Sequence, residues 1–180
     1  LEEANPSLRQ QDSPSQRVGG DPSSQFATVR HLTPMLSLDN SYSRDDVVAF
    51  DQRVRSGLAD EEVAYVAELK VDGVALSLTY EDSVLVRAVT RGNGIQGDQI
   101  TANARTIRAI PLRLRQADIS CQVRGEVYMT AGDFAALNQQ QEQAGRPLFA
   151  NPRNSTAGSL KLQDPRAVAA RGLRFFAYWL

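Results

Sequence analysis

The sequence predicts an α+β fold, mostly antiparallel sheets with flanking helices, and three observations carry that expectation. Residues 74–80 alternate strictly, with Val74, Leu76, Leu78 and Tyr80 on one face and Ala75, Ser77 and Thr79 on the other. Glu81, Asp82 and Ser83 then read as a turn, and residues 84–90 return as a β-prone run, so the two runs form a hairpin. Segments with helical spacing are interleaved with such strands instead of forming the crossovers of a parallel βαβ winding.

Residues 1–25 are rich in Gln, Ser, Pro and Gly, too poor in apolar surface to repay their ordering, and read as a linker or arm. Residues 26–180 read as the folded part. Ser43 followed by Asp46 marks a helix start, with Val47, Phe50 and Val54 at helical spacing, so a helix is expected near 44–56. Residues 63–69 are β-prone and are expected as a strand before the hairpin. A glycine-rich loop at 92–97 precedes a helix near 99–107, with Pro111 beyond it. Residues 121–129 alternate again: Val123, Gly125, Val127 and Met129 face one way, Arg124, Glu126 and Tyr128 the other. A helix near 131–144 stops at Gly145. Asn151 as N-cap with Pro152 at the first helical position predicts a short helix over 152–161, and residues 173–180 close the chain as a strand.

Composition narrows the function classes without choosing one. The 180 residues are 42% hydrophobic and 23% charged, enough to bury a sizeable core. Twenty Lys and Arg against twenty-one Asp and Glu leave a net charge of −1, which argues against a stand-alone, charge-driven nucleic-acid binder. The single Cys121 excludes an internal disulfide framework and a multi-cysteine zinc site, and the single His31 excludes a histidine-rich metal cage. Apolar runs are only a few residues long, so no spanning helix is expected, and the polar start with Glu2 and Glu3 does not resemble a signal peptide. These are the figures of a soluble intracellular domain.

Local spacing says more. Residues 92–97 match G-x-G-x-x-G, follow a strand and precede a helix, and Asp118 lies further on as a dinucleotide fingerprint asks. The preceding strand is the second arm of a hairpin, however, and Pro111 arrives too early for a parallel crossover, so a tight loop with glycines at positive φ is the better reading. A loop bringing Arg91 and backbone N–H groups to a phosphate stays open. Glu68, Lys70 and Asp72 share a face of an extended chain just before Gly73. By spacing alone that is an ordinary solvated face; the alternative is a lysine nucleophile, whose amine must be kept neutral by burial or nearby cations. The N-terminus of the helix at 152, with Arg153, could receive an anion, although small residues there more often mean close packing. His31 reads as a structural hydrogen-bonder. Phe175, Phe176, Tyr178 and Trp179 read as a core strand first and as a stacking platform second.

Taken together and in this order, these segments resemble the adenylation (nucleotidyltransferase) domain of bacterial NAD-dependent DNA ligases. The matching stretches are SPSQRVG (13–19), HLTPMLSLDN (31–40), ELKVDG (68–73), TRGNGIQGDQITANARTIRAIPLRL (90–114), VRGEVY (123–128), FANPRNSTAGSLK (149–161) and FFAY (175–178). K-x-D-G alone is shared with ATP-dependent ligases and capping enzymes; the longer segments point to the NAD-dependent branch. The resemblance implies a partial nucleotidyltransferase, ATP-grasp-like ligase fold. It implies that Lys70 attacks the α-phosphorus of NAD, expels nicotinamide mononucleotide and holds AMP as a phosphoramidate, for later transfer to the 5′-phosphate of a DNA nick. Glu68 would meet the adenine amino group, Ser37 and Leu38 would line the nucleotide site, and Arg91 would contact the ribose or phosphate side. Glu126 matches a ribose-side carboxylate and Tyr178 an aromatic stacked on adenine. Mg²⁺ is implied as cofactor without assigned ligands, nicked double-stranded DNA as partner of the full-length parent, a monomer without membrane attachment, a cytoplasmic location, and work in DNA replication and repair.

Two positions depart from the family pattern: Asn93 stands where Asp is usual and Lys161 where Arg is usual. The first is expected to cost little, the second to weaken a phosphate or DNA contact by replacing a fork with a point charge. The matching stretches also end before the family's two later lysine motifs and begin after its small N-terminal domain, so the chain reads as a fragment that self-adenylates slowly. A nucleotide-binding module without turnover and an ATP-dependent ligase or capping relative are the competing readings.

Overall fold

A computed structural model describes residue 13 and residues 26–58 and 61–180. The linker read over 1–25 and the SPSQRVG stretch lie almost wholly outside the described residues. The chain divides into two compact units, one ending at Met35 and resuming over Val71–Leu180, the other formed by Leu36–Lys70.

The larger unit is built on a four-stranded antiparallel sheet of order β3-β2-β5-β6, from β2 (Val74–Glu81), β3 (Val84–Thr90), β5 (Cys121–Tyr128) and β6 (Arg174–Trp179). The predicted hairpin is present. Asp82 and Ser83 both take positive φ, +47° and +68°, as a two-residue turn compatible with the strand twist requires. The alternation is the reason for the core: Leu76, Leu78, Tyr80 and Val127 are buried on one face, beside Met129, Leu137, Leu160 and Val168. Gly125 lies on that face because the Phe175 ring and the Phe176 carbonyl occupy the space a Cβ would take.

Helices α2 (Thr101–Arg105), α3 (Ala131–Gln143), α4 (Pro152–Leu160) and α5 (Pro165–Ala169) belong to the same unit. Asn151 caps α4 by accepting from the Asn154 N–H at 2.7 Å, with Pro152 at the first position as expected. The helix expected near 99–107 is shorter. The Gln99 and Ile100 N–H groups are held by Ala27 and Ala88, and the Thr106, Ile107 and Ile110 amides make three-residue-span bonds that end the α-helical ladder. Sequence patterns showed neither α5 nor the two-stranded ribbon of β1 (Thr28–Arg30) with β4 (Gln96–Asp98), which places the end of the glycine loop in register with the chain upstream.

The smaller unit holds α1 (Arg44–Gly57), with Ser43 and Asp46 in the reciprocal capping box that the sequence shows. The strand expected at 63–69 is not formed. Strand propensity reports fit to a pleated, paired surface, and among the described residues this unit has no strand to pair with. Residues 61–70 are instead tied to α1 through Tyr65, whose hydroxyl donates to Asp51 at 2.9 Å and whose ring lies 6.2 Å from Phe50. Glu68 and Lys70 therefore lie outside any strand among the described residues.

Candidate active site

In the larger unit the face opposite the core carries the polar residues. Directly opposed residues of antiparallel strands point the same way, so Ala75, Glu126 and Phe176 form one cross-strand row. Arg91 extends it, its N–H donating to the Ala75 carbonyl at 3.1 Å. Val89, Ser77, Arg124 and Trp179 form the next row. The β5–β6 register shifts between these rows, pairing Gly125 with Ala177 but Arg124 with Trp179, and Tyr178 is the extra residue. Tyr178 stays 41% exposed. Burial pushes its phenol up and the Glu126 carboxylate adds to that, while the guanidiniums of Arg124 and Arg91 pull the other way. The Tyr178 phenol thus feels a carboxylate and a guanidinium from β5 and a second guanidinium from the segment after β3.

Residues 31–35 form a strap over this region. The Arg124 fork donates to the carbonyls of Thr33 at 2.6 Å and Pro34 at 3.0 Å, and Arg91 Nε donates to the Met35 carbonyl at 3.3 Å. The His31 and Met35 amides donate to Ile95 and Gly94 of the glycine loop at 2.9 and 2.8 Å. His31 Nε2 lies 3.1 Å from the Arg91 carbonyl, the structural role read for it. Gly94, at φ +91°, is where loop and strap meet, since a Cβ there would press on the Met35 carbonyl. The loop is the tight turn read from the sequence. It follows a strand of an antiparallel hairpin and precedes a five-residue helix, which removes the dinucleotide-fingerprint reading.

These observations meet the comparison with known proteins. The model for the NAD-dependent DNA ligase adenylation domain matches residues 23–180. The chain belongs to that family. It is 58% identical over 180 residues to the DNA ligase of Desulforudis audaxviator, covering 99% of this chain and 27% of the relative. It is 54% identical over 178 residues to the DNA ligase of Carboxydothermus hydrogenoformans and 51% identical over 180 residues to that of Coprothermobacter proteolyticus, again covering 99% of this chain and 27% of each relative. The chain therefore spans about a quarter of the length of these DNA ligases.

Within this adenylation-domain chain, Arg91, Glu126 and Tyr178 are brought together on one sheet face of the larger unit. Ser37, Leu38, Glu68 and Lys70 belong to the smaller unit, and all four are exposed. The K-x-D-G segment is divided: Lys70 ends one unit, and Asp72 and Gly73 belong to the other. Asp72 pairs with Arg153 at 3.4 Å, both exposed, and Gly73 passes so close to the Val127 carbonyl that a Cβ would collide with it. Asn93 serves the loop well, its Oδ1 accepting from the Ile95 and Gln96 amides at 3.0 Å each, which an aspartate would also do. Lys161 pairs with Asp98 at 2.8 Å. Sequence reasoning put Arg124 on the polar face but assigned it no role. Its stacking on Trp179, 4.7 Å from guanidinium carbon to ring centroid, is visible only once the bulge sets the register. Among the described residues no group of three or more His, Cys, Asp or Glu side chains could hold a metal ion, and no helix is long and apolar enough to cross a membrane.

Proposed function

We propose that this chain is the AMP-accepting part of an NAD-dependent DNA ligase of nucleotidyltransferase, ATP-grasp-like fold. The membership of residues 23–180 in the adenylation-domain family, with K-x-D-G at 70–73, carries that reading. Lys70 Nζ, as the neutral amine, attacks the α-phosphorus of NAD. The P–N bond forms as the bond to the bridging oxygen breaks, nicotinamide mononucleotide leaves with that oxygen, and the surplus amine proton passes to solvent. The lysyl-AMP so formed later gives its AMP to the 5′-phosphate of a nick. Glu68 would accept from the adenine amino group, with Ser37 and Leu38 lining the nucleotide site.

The residue types gathered on the sheet face suit the rest of the nucleotide. The Tyr178 ring offers a stacking surface, the Glu126 carboxylate accepts from ribose hydroxyls, and Arg91 supplies a fixed cation near phosphate. Mg²⁺ would neutralise charge on the diphosphate. With no acidic cluster among the described residues, it fits as an ion held mainly by phosphate oxygens and water.

The test is intact-mass analysis of the parent ligase after incubation with NAD or with ATP. An adenylate adduct from NAD, absent in Lys70→Ala, is the expected result. An adduct from ATP alone would reassign the donor, and an undiminished adduct in Lys70→Ala would remove the proposed nucleophile.

A further inference from the structure

We infer that Arg124 is a positioning residue for nucleotide binding: by clamping the 31–35 strap from β5, it holds Arg91 in place. The inference rests on the role proposed above for Arg91 and extends it to a residue with no assigned part in the reaction.

Five contacts link Arg124, the strap and Arg91. The two terminal nitrogens of Arg124 reach two consecutive strap carbonyls, Thr33 and Pro34, and the guanidinium lies over the Trp179 ring. The next strap carbonyl, Met35, receives Arg91 Nε, and the strap's first residue, His31, places its ring nitrogen at the Arg91 carbonyl. Arg91 is thus gripped at its backbone and side chain by two ends of one segment, whose middle is fixed by Arg124. The strap's amides are anchored separately on the glycine loop through Ile95 and Gly94, so without Arg124 it would stay attached on one side only. The Arg124 Nε is buried without a hydrogen-bond partner, so nothing on that nitrogen holds the side chain; the terminal fork and the stacked ring do. A lysine at this position keeps the charge but loses the planar fork that spans both carbonyls and most of the stacking.

Kinetics and amide exchange together test the idea, using Arg124→Lys and Trp179→Ala in the parent ligase. A contact made equally in ground and transition states raises KM and leaves kcat alone. Arg124→Lys is therefore expected to raise KM for NAD about tenfold, with kcat for self-adenylation within about threefold. Amide exchange should accelerate at His31 and Met35 but not at the core-strand residues Leu76 and Val127. Trp179→Ala should show the same pattern at smaller amplitude. An unchanged KM, a fall confined to kcat, or accelerated exchange spread across the whole sheet would each overturn the positioning role. Lys70→Ala in the same background keeps the two readings apart: a retained adduct there defeats the proposed function, whereas a normal KM in Arg124→Lys defeats only this inference.

Discussion

Replacing Asn103 by alanine tests the joint between α2 and α4. Asn103 is 1% exposed, and both hydrogens of its amide are used, donating to the carbonyls of Leu160 and Leu162 at 2.8 Å each. These carbonyls lie at the end of α4 and just beyond it, where a helix leaves acceptors unpaired. Asn103→Ala removes two bonds, each contributing about 0.5–1.5 kcal/mol net, and leaves at least one carbonyl buried and unpaired at about 1–3 kcal/mol. The total is about 2–6 kcal/mol. At about 2–4 °C per kcal/mol for a chain of this size, the main melting transition should fall by about 4–24 °C. Asn103→Asp should do at least as badly despite its matching shape, because a carboxylate oxygen would replace a donor facing a carbonyl. Circular dichroism melts of the three proteins at neutral pH provide the measurement. A shift below about 2 °C in Asn103→Ala, or an Asn103→Asp protein as stable as the parent, would refute the claim that this amide carries the joint.

Gly125→Ala should cost about 1–3 kcal/mol, because the new methyl group meets the Phe175 ring and the Phe176 carbonyl of β6; denaturant titration reads this, and an unchanged midpoint would show that β6 yields freely. The Thr130 hydroxyl and then Arg174 hold the Asp133 carboxyl below its ordinary value of 3.8. The contribution is therefore present above that value and lost as pH falls through the lower, folded-state one. Asp133→Asn should accordingly lower the melting temperature at neutral pH and match the parent in strong acid; a difference that persists unchanged into acid contradicts this. In the parent ligase, Lys70→Ala should abolish the adenylate adduct, with mass spectrometry as the readout.

Elements whose cause is local were legible in advance. The β2–β3 hairpin follows from alternation and from two turn residues, and α1 and α4 follow from caps within three residues of their first turns. Arg124 and Glu126 share the polar face of β5 because side-chain period in a strand is two. The segment at 63–69 misled because its composition suits a strand while strand formation needs a neighbour. The β1–β4 ribbon pairs residues nearly seventy positions apart, and neither three-residue strand is long enough to show a pattern.

The sequence by itself determined the chemistry on offer: a K-x-D-G lysine, a glycine loop, an acidic strand residue and a terminal aromatic run, in an order that placed the chain in its family. It could do so because residue type and short spacing are one-dimensional properties. Only the tertiary structure decided that the charges of Arg91, Arg124 and Glu126 all act on Tyr178, that a bulge lays Trp179 on Arg124, and that the 31–35 strap is gripped by two arginines from separate segments. Those contacts join residues fifty to ninety positions apart. Their existence depends on strand order and register, which are set by burying Leu76, Leu78 and Val127 on the opposite face of the same sheet.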